Sequence, residues 1–133
     1  MPGPPAAKEG DRVVATDTHI VLVPSPGGPV PTPLPHSFSG IIDGGTSPNV
    51  KIMGRPAATA GSRATNTPPH TPEGGGSFQN PPTNKATIIH GSSTVLINNK
   101  PAARNGDTAI TCNDPFPLPV GKVVATGTVF IGG

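Results

Sequence analysis

Apolar residues along this chain do not recur at helical spacing. They come in short β-branched runs, separated by proline, glycine and small polar residues. VVATDTHIVLV, ATIIHGSSTVLIN and KVVATGTVFIGG are the clearest of these, and their Val, Ile and Thr content predicts strands between turns. Three shorter runs share one pattern. NVKIMG, TVLINN and TVFIGG place Val50, Val95 and Val129 at one position, Ile52, Ile97 and Ile131 two residues later, and Lys51, Leu96 and Phe130 between them. A period of two turns Val and Ile inward and the intervening residue outward. The expectation is two stacked layers of three β-branched residues filling a narrow, three-sided core without any large aromatic.

A repeated turn accompanies these runs. PAAKEGD stands at Pro5–Asp11, PAATAGS at Pro56–Ser62 and PAARNGD at Pro101–Asp107, with Gly10, Gly61 and Gly106 each five residues after the proline. Proline sets φ and glycine permits a bend that other residues resist, so each copy reads as a corner between strands. Asp11, Ser62 and Asp107 share one position in it and suit turn capping. The first copy has no strand ahead of it, and the missing strand is TVFIGG at the opposite end of the chain. The sequence therefore reads as one all-β domain over residues 1–133, with pseudo-repeats roughly at 1–40, 41–85 and 86–133. The C-terminal strand closes the first of them, which requires the two ends of the chain to meet.

Composition qualifies this picture. Twenty prolines and 18 glycines in 133 residues lie near the low-complexity range, but repeated strand and turn chemistry is not needed by a flexible linker. The net charge of +2 is spread without a run of Lys or Arg, which gives nucleic-acid binding little support. The apolar runs are too short to span a membrane, and MPGPPAAKEGD lacks the charged start and apolar core of a signal peptide. Synthesis and retention in the cytoplasm are expected unless a machine exports the chain. The single cysteine, Cys112, cannot form an internal disulfide and is a buried thiol, a reactive thiol or a metal ligand.

His19 lies fourteen residues after Pro5, His70 fourteen after Pro56 and Cys112 eleven after Pro101. Under three-fold pseudo-symmetry these side chains project from equivalent loops toward one axis. Two imidazoles and a thiolate need one more donor to complete a tetrahedral zinc site. His36, in PTPLPHS, resembles His70 in NTPPHTP and is preferred; His90, aligned with Gly45 and Val124 at a strand start, is the alternative. Neither HExxH nor HxE…CxxC occurs, and Asp11, Asp17, Asp107 and Asp114 sit in turn-rich contexts, so no enzyme is expected. GGGS at Gly74–Ser77 lacks the Lys-Ser/Thr of a phosphate loop and reads as flexible linkage.

KPAAR at Lys100–Arg104, with its strand, its Gly-Asp and the downstream His and Cys, resembles the PAAR-repeat spike-tip proteins of type VI secretion and related phage-tail-like contractile injection systems. The likeness runs from PAAKEGD to TVFIGG. RPAATAGS and PPAAKEGD depart from it but keep Pro-Ala-Ala and the glycine. The resemblance implies a small β cone whose flat base sits on a trimeric spike of the valine-glycine-repeat or phage-like type. It implies an apex held by Zn2+ through three histidines and a cysteine, here His19, His36 or His90, His70 and Cys112. It implies a mechanical role: capping the spike and sharpening it to pierce a target membrane, which it contacts transiently. Loading effector or toxin cargo as an adaptor is the alternative, and a small zinc hydrolase a more distant one. Such a protein is held in the bacterial cytoplasm during assembly, then sits on the particle tip and is delivered outside or into the target cell. The chain ends on its closing strand, so no fused effector is expected. SPGGPVPTPLPHSFSG and NTPPHTPEGGGSFQNPPTN read as long loops that wrap the cone rather than hold cargo.

Overall fold

The β-branched runs form strands in the computed structural model, which describes residues 3–132. In chain order these are β1 (Arg12–Val23), β2 (Val30–Gly44), β3 (Lys51–Ile52), β4 (Arg55–Pro56), β5 (Arg63–Asn66), β6 (Ser77–Phe78), β7 (Lys85–Ile88), β8 (Leu96–Ile97), β9 (Lys100–Pro101), β10 (Thr108–Thr111) and β11 (Leu118–Val124). β11, β10, β7, β5, β2 and β1 pair antiparallel in that order, and β11 returns to β1, so six strands close a barrel. β6 adds to the outside of β1. β3–β4 and β8–β9 are two small hairpins. There is no α-helix among the described residues.

The repeated turns do more than bend the chain between strands. Their alanines meet around a pseudo-three-fold axis, where the Ala58 amide donates to Ala7 O (3.0 Å), Ala103 to Ala58 O (3.0 Å) and Ala7 to Ala103 O (2.9 Å). A second cycle follows one step on: Glu9 donates to Pro56 O (2.8 Å), Ala60 to Pro101 O (2.9 Å) and Asn105 to Pro5 O (2.9 Å). Ala7, Ala58 and Ala103 are fully buried, and backbones this close leave room for nothing larger than a methyl group. Just beyond, Asp11, Ser62 and Asp107 accept the amides of Lys8, Thr59 and Arg104 at 3.1, 2.9 and 2.7 Å, the turn-capping role their shared position suggests. Gly10, Gly61 and Gly106 take φ of +96°, +96° and +90°, where a side chain is strained.

The ends of the chain do meet. Pro5 bridges Phe130, and Ala6 donates to Val129 O at 2.8 Å, as Ala57 does to Val50 O and Ala102 to Val95 O at 3.0 Å. The C-terminal segment thus completes the unit that the N-terminus opens.

Only one of the two expected core layers is buried. Ile52, Ile97 and Ile131 pack with Ala6, Ala57 and Ala102 and are 7%, 9% and 7% exposed, whereas Val50, Val95 and Val129 are 36%, 36% and 39% exposed. The alanines already fill the axis, so a single β-branched layer closes it. Val50 and Val95 precede hairpin arms only two residues long, and all three valines lie on the rim of the base. A separate barrel core is built around Val13, Phe38, Ile42, Ile88 and Val123.

SPGGPVPTPLPHSFSG is not a wrapping loop; most of it is β2. Pro31, Pro33 and Pro35 face Leu22, Ile20 and Thr18 across the ladder, and the Thr18 and Ile20 amides turn the other way, to Asn113 Oδ1 (2.7 Å) and Asp114 Oδ2 (2.8 Å). Prolines at every second position therefore cost β1–β2 no ladder bond at those residues. The second long segment carries a 3-10 turn (Glu73–Gly75) and β6. Its glycines are not simple linkage, since a Cβ on Gly76 would lie 2.1 Å from Leu22 O.

Ile97→Ala is expected to cost roughly 2–5 kcal/mol in denaturant unfolding, as large-to-small core changes do. Val95→Ala, on the rim, should cost about 1 kcal/mol or less, and Lys51→Ala close to nothing; equal losses at Ile97 and Val95 would contradict the single-layer core.

Removing Thr128–Gly133 takes Ile131 from the base and leaves Ala6 without its Val129 partner. The truncated chain is expected to lose cooperative thermal unfolding. Placing TVFIGG through a short linker ahead of Pro5 should restore it.

Candidate metal centre

Strand periodicity assembles most of the site. Inward positions of β1 fall at Val13, Asp17, His19 and Val21, and those of β2 at His36, Phe38, Gly40 and Ile42. Cys112 follows the last residue of β10. His70 comes from the segment after β5, anchored where Asn84 Oδ1 accepts the His70 amide (2.8 Å) and the Asn66 side-chain amide (3.1 Å).

One donor atom from each of Asp17, His19, His70 and Cys112 can be chosen so that all four lie within 4.8 Å of one another. His70 Nε2 is 3.0 Å from Asp17 Oδ2, Cys112 Sγ is 3.5 Å from the same oxygen, and Cys112 Sγ is 3.6 Å from His19 Nε2. The Thr111 hydroxyl donates to Asp17 Oδ1. His36 is buried alongside, its ring 5.5 Å from those of His19 and His70, with Nδ1 3.0 Å from Leu34 O. Phe78 lies against both His19 (5.7 Å) and His36 (5.3 Å). His90 is exposed just beyond β7 and outside this cluster.

The structure therefore brings His19, His70 and Cys112 together and seats His36 beside them. It also adds Asp17, which its turn-like sequence context concealed. Asp17 is in mid-strand and fully buried, and a strict period of two through VVATDTHIV would have put it on the same face as His19.

The electrostatics suit a cation. His19 is held below its usual pKa by burial first, then by neighbouring His70. Its buried Nδ1 makes no hydrogen bond, although Asp114 Oδ2 lies 3.7 Å away. Burial, reinforced by the Asp17 carboxylate, pushes the Cys112 thiol up to about 11. His70 is an ion-pair partner of Asp17. A buried carboxylate and thiol facing imidazoles form a nitrogen, sulfur and oxygen donor set that suits Zn2+, and a dication would offset both anions. A cleft of about 330 Å³, bordered by His36, Ser39, Asn66 and His70, gives solvent a way in from outside.

The PAAR motif family model matches residues 22–115 and 78–133, so that the two matches take in β2 to β11 and the closing strand. With the closed all-β fold and its three Pro-Ala-Ala turns, the match supports a spike-associated, tip-type protein. The chain belongs to the PAAR motif family. No curated protein matches it.

The metal-free chain should be least stable at the two extremes of pH. His19 has a folded pKa below 6.5, so its contribution is present above pH 6.5 and is lost as the pH falls below that value. Cys112 has a folded pKa raised from 9.0 to about 11, so its contribution is present below pH 9.0 and is lost as the pH rises toward 11. Thermal melts of metal-stripped protein across this range should fall on both sides, and Cys112→Ser should flatten the alkaline limb alone.

Proposed function

We propose that this chain is a zinc-stabilised tip that caps the trimeric β-helical spike of a contractile injection system and sharpens it for membrane piercing. The observation that carries the reading is the base. Val50, Val95 and Val129 occupy equivalent positions around the pseudo-three-fold axis and are partly exposed, and Met53, Leu96 and Phe130 beside them are more exposed still. An apolar rim repeated three times is matched to a partner that presents three equal strand ends, and covering those ends removes edges open to aggregation.

Zn2+, held by His19, His70 and Cys112 with His36 or Asp17 as fourth donor, supplies a cross-link between β1, the segment after β5 and the end of β10. The chain's own residues orient the donors: Thr111 holds the Asp17 carboxylate, the Leu34 carbonyl holds His36, and Phe78 shields two of the rings. The role is mechanical rather than catalytic. The protein is assembled in the bacterial cytoplasm and leaves on the tip of the particle, touching the target membrane only in transit. An effector-loading adaptor is the second reading. It rests on Phe116, 62% exposed in the turn between β10 and β11, as a contact for cargo.

Purified chain should capture a trimeric spike in pull-down and carry one zinc by elemental analysis. Val50→Asp, Val95→Asp and Val129→Asp combined should weaken capture by roughly thirtyfold or more, as loss of a central apolar contact does, without changing zinc content. Undiminished capture would place the interface elsewhere.

A further inference from the structure

We propose that the outer end of the β1–β2 hairpin, with the segments packed beside it, is a lipid-entering surface matched to the uncharged interior of a bilayer. This deepens the membrane-piercing reading above and rests on it. The hairpin outruns its neighbours in the barrel, because β11 pairs only with residues 12–14 of β1 and β5 only with residues 40–44 of β2. Its outer part is flanked instead by β6, by the 3-10 turn and by the turn that carries Asp114.

Charge is sorted along this length. Stretches 13–42, 64–84 and 108–121 supply the hairpin and the segments around its outer part, yet none of the nine Lys and Arg falls within them. Asp17, His19 and His36 are buried, the side chains of His70 and Asp114 are almost wholly covered, and the sixth ionisable residue of these stretches is Glu73. What the outer end shows to solvent is apolar or neutral, with Val30 and Phe116 the large exposed side chains. A cleft of about 330 Å³ between the hairpin end and the 75–77 segment, walled by Leu22, Pro24, Pro29 and Gly76, likewise has no ionisable group.

Hydrocarbon penalises a backbone donor that finds no acceptor as well as a charge. Fourteen of the 20 prolines fall in the same three stretches, and none of them brings an N–H. In β2 their placement is specific. Pro31, Pro33 and Pro35 stand opposite Leu22, Ile20 and Thr18 at positions where the backbone groups of the two strands point apart, so the ring nitrogens line the edge of β2 that faces away from β1. That edge carries no orphan donor at those three residues. Lysine would guard an edge equally well in water, and none is used.

The chain has no tryptophan, so a single one reports its surroundings without background. Val30→Trp, and Leu96→Trp on the base, are to be mixed as zinc-loaded full chains with vesicles of phosphatidylcholine brominated on its acyl chains. Neutral lipid keeps the exposed Lys51, Arg55 and Lys100 of the base from holding the protein at the surface by charge. Emission from position 30 is expected to shift to the blue and to be quenched, and emission from position 96 to do neither. Phe116→Trp gives a second reporter, read in the same way should Val30→Trp fail to fold, and Val30→Lys in that background should weaken partition by about tenfold or more. Absence of quenching at the outer end, or quenching at position 96 as deep, would overturn the proposal. Failure to capture a spike in the pull-down would overturn the tip reading instead, whatever the vesicles show.

Discussion

Three backbone hydrogen bonds, passed in a circle from Ala7 to Ala103 to Ala58 and back, set the terms for the whole molecule. Each Pro-Ala-Ala segment satisfies its neighbour, so no strand edge is left open at the axis. The closeness this demands excludes any side chain beyond a methyl group, and the residue before the alanine pair gives up no needed donor by being proline. The glycine and the side-chain cap that follow turn each segment out of the ring and into the barrel wall. A chain with few aromatics can close here because backbone bonding, not bulk, fills the centre.

Away from the ring the symmetry breaks. The first unit runs on into a hairpin of 12- and 15-residue strands, whereas the corresponding strands of the other units are shorter, four residues each in β5, β7 and β10 and seven in β11. That imbalance creates the metal centre. The long hairpin contributes Asp17, His19 and His36, while the second and third units supply one donor apiece, His70 and Cys112. A metal at this point would tie the longest strands to the segments that would otherwise be held there by few apolar contacts.

The repeat arithmetic made the base legible. Equal spacing in the three turns carried the closure of the ends, the capping by Asp11, Ser62 and Asp107, and the convergence of His19, His70 and Cys112. What periodicity could not convey is how much room lies behind a face: Val50 and Ile52 share a phase, but the alanine ring leaves space for only one of them. β2 was hidden because proline is read as a strand breaker, although prolines confined to alternate positions disturb only one side of a ladder. Asp17 was hidden by reading a residue through its neighbours instead of through its strand. In both cases the alternation was present in the sequence and the residue type obscured it.

The cyclic ring also has a consequence for how such a protein is imaged. On any partner with true three-fold symmetry, a base whose three faces share Val50, Val95 and Val129 and differ at Lys51, Leu96 and Phe130 could be set down in three rotations of similar free energy, because most of what distinguishes the units lies far from the base. A population of particles then contains all three, and everything that breaks the symmetry, the β1–β2 hairpin and the histidine cluster above all, points in a different direction in each. Averaging with three-fold symmetry imposed would leave Ile52, Ile97 and Ile131 sharp and superpose Asp17, Cys112 and a barrel wall into one blurred density.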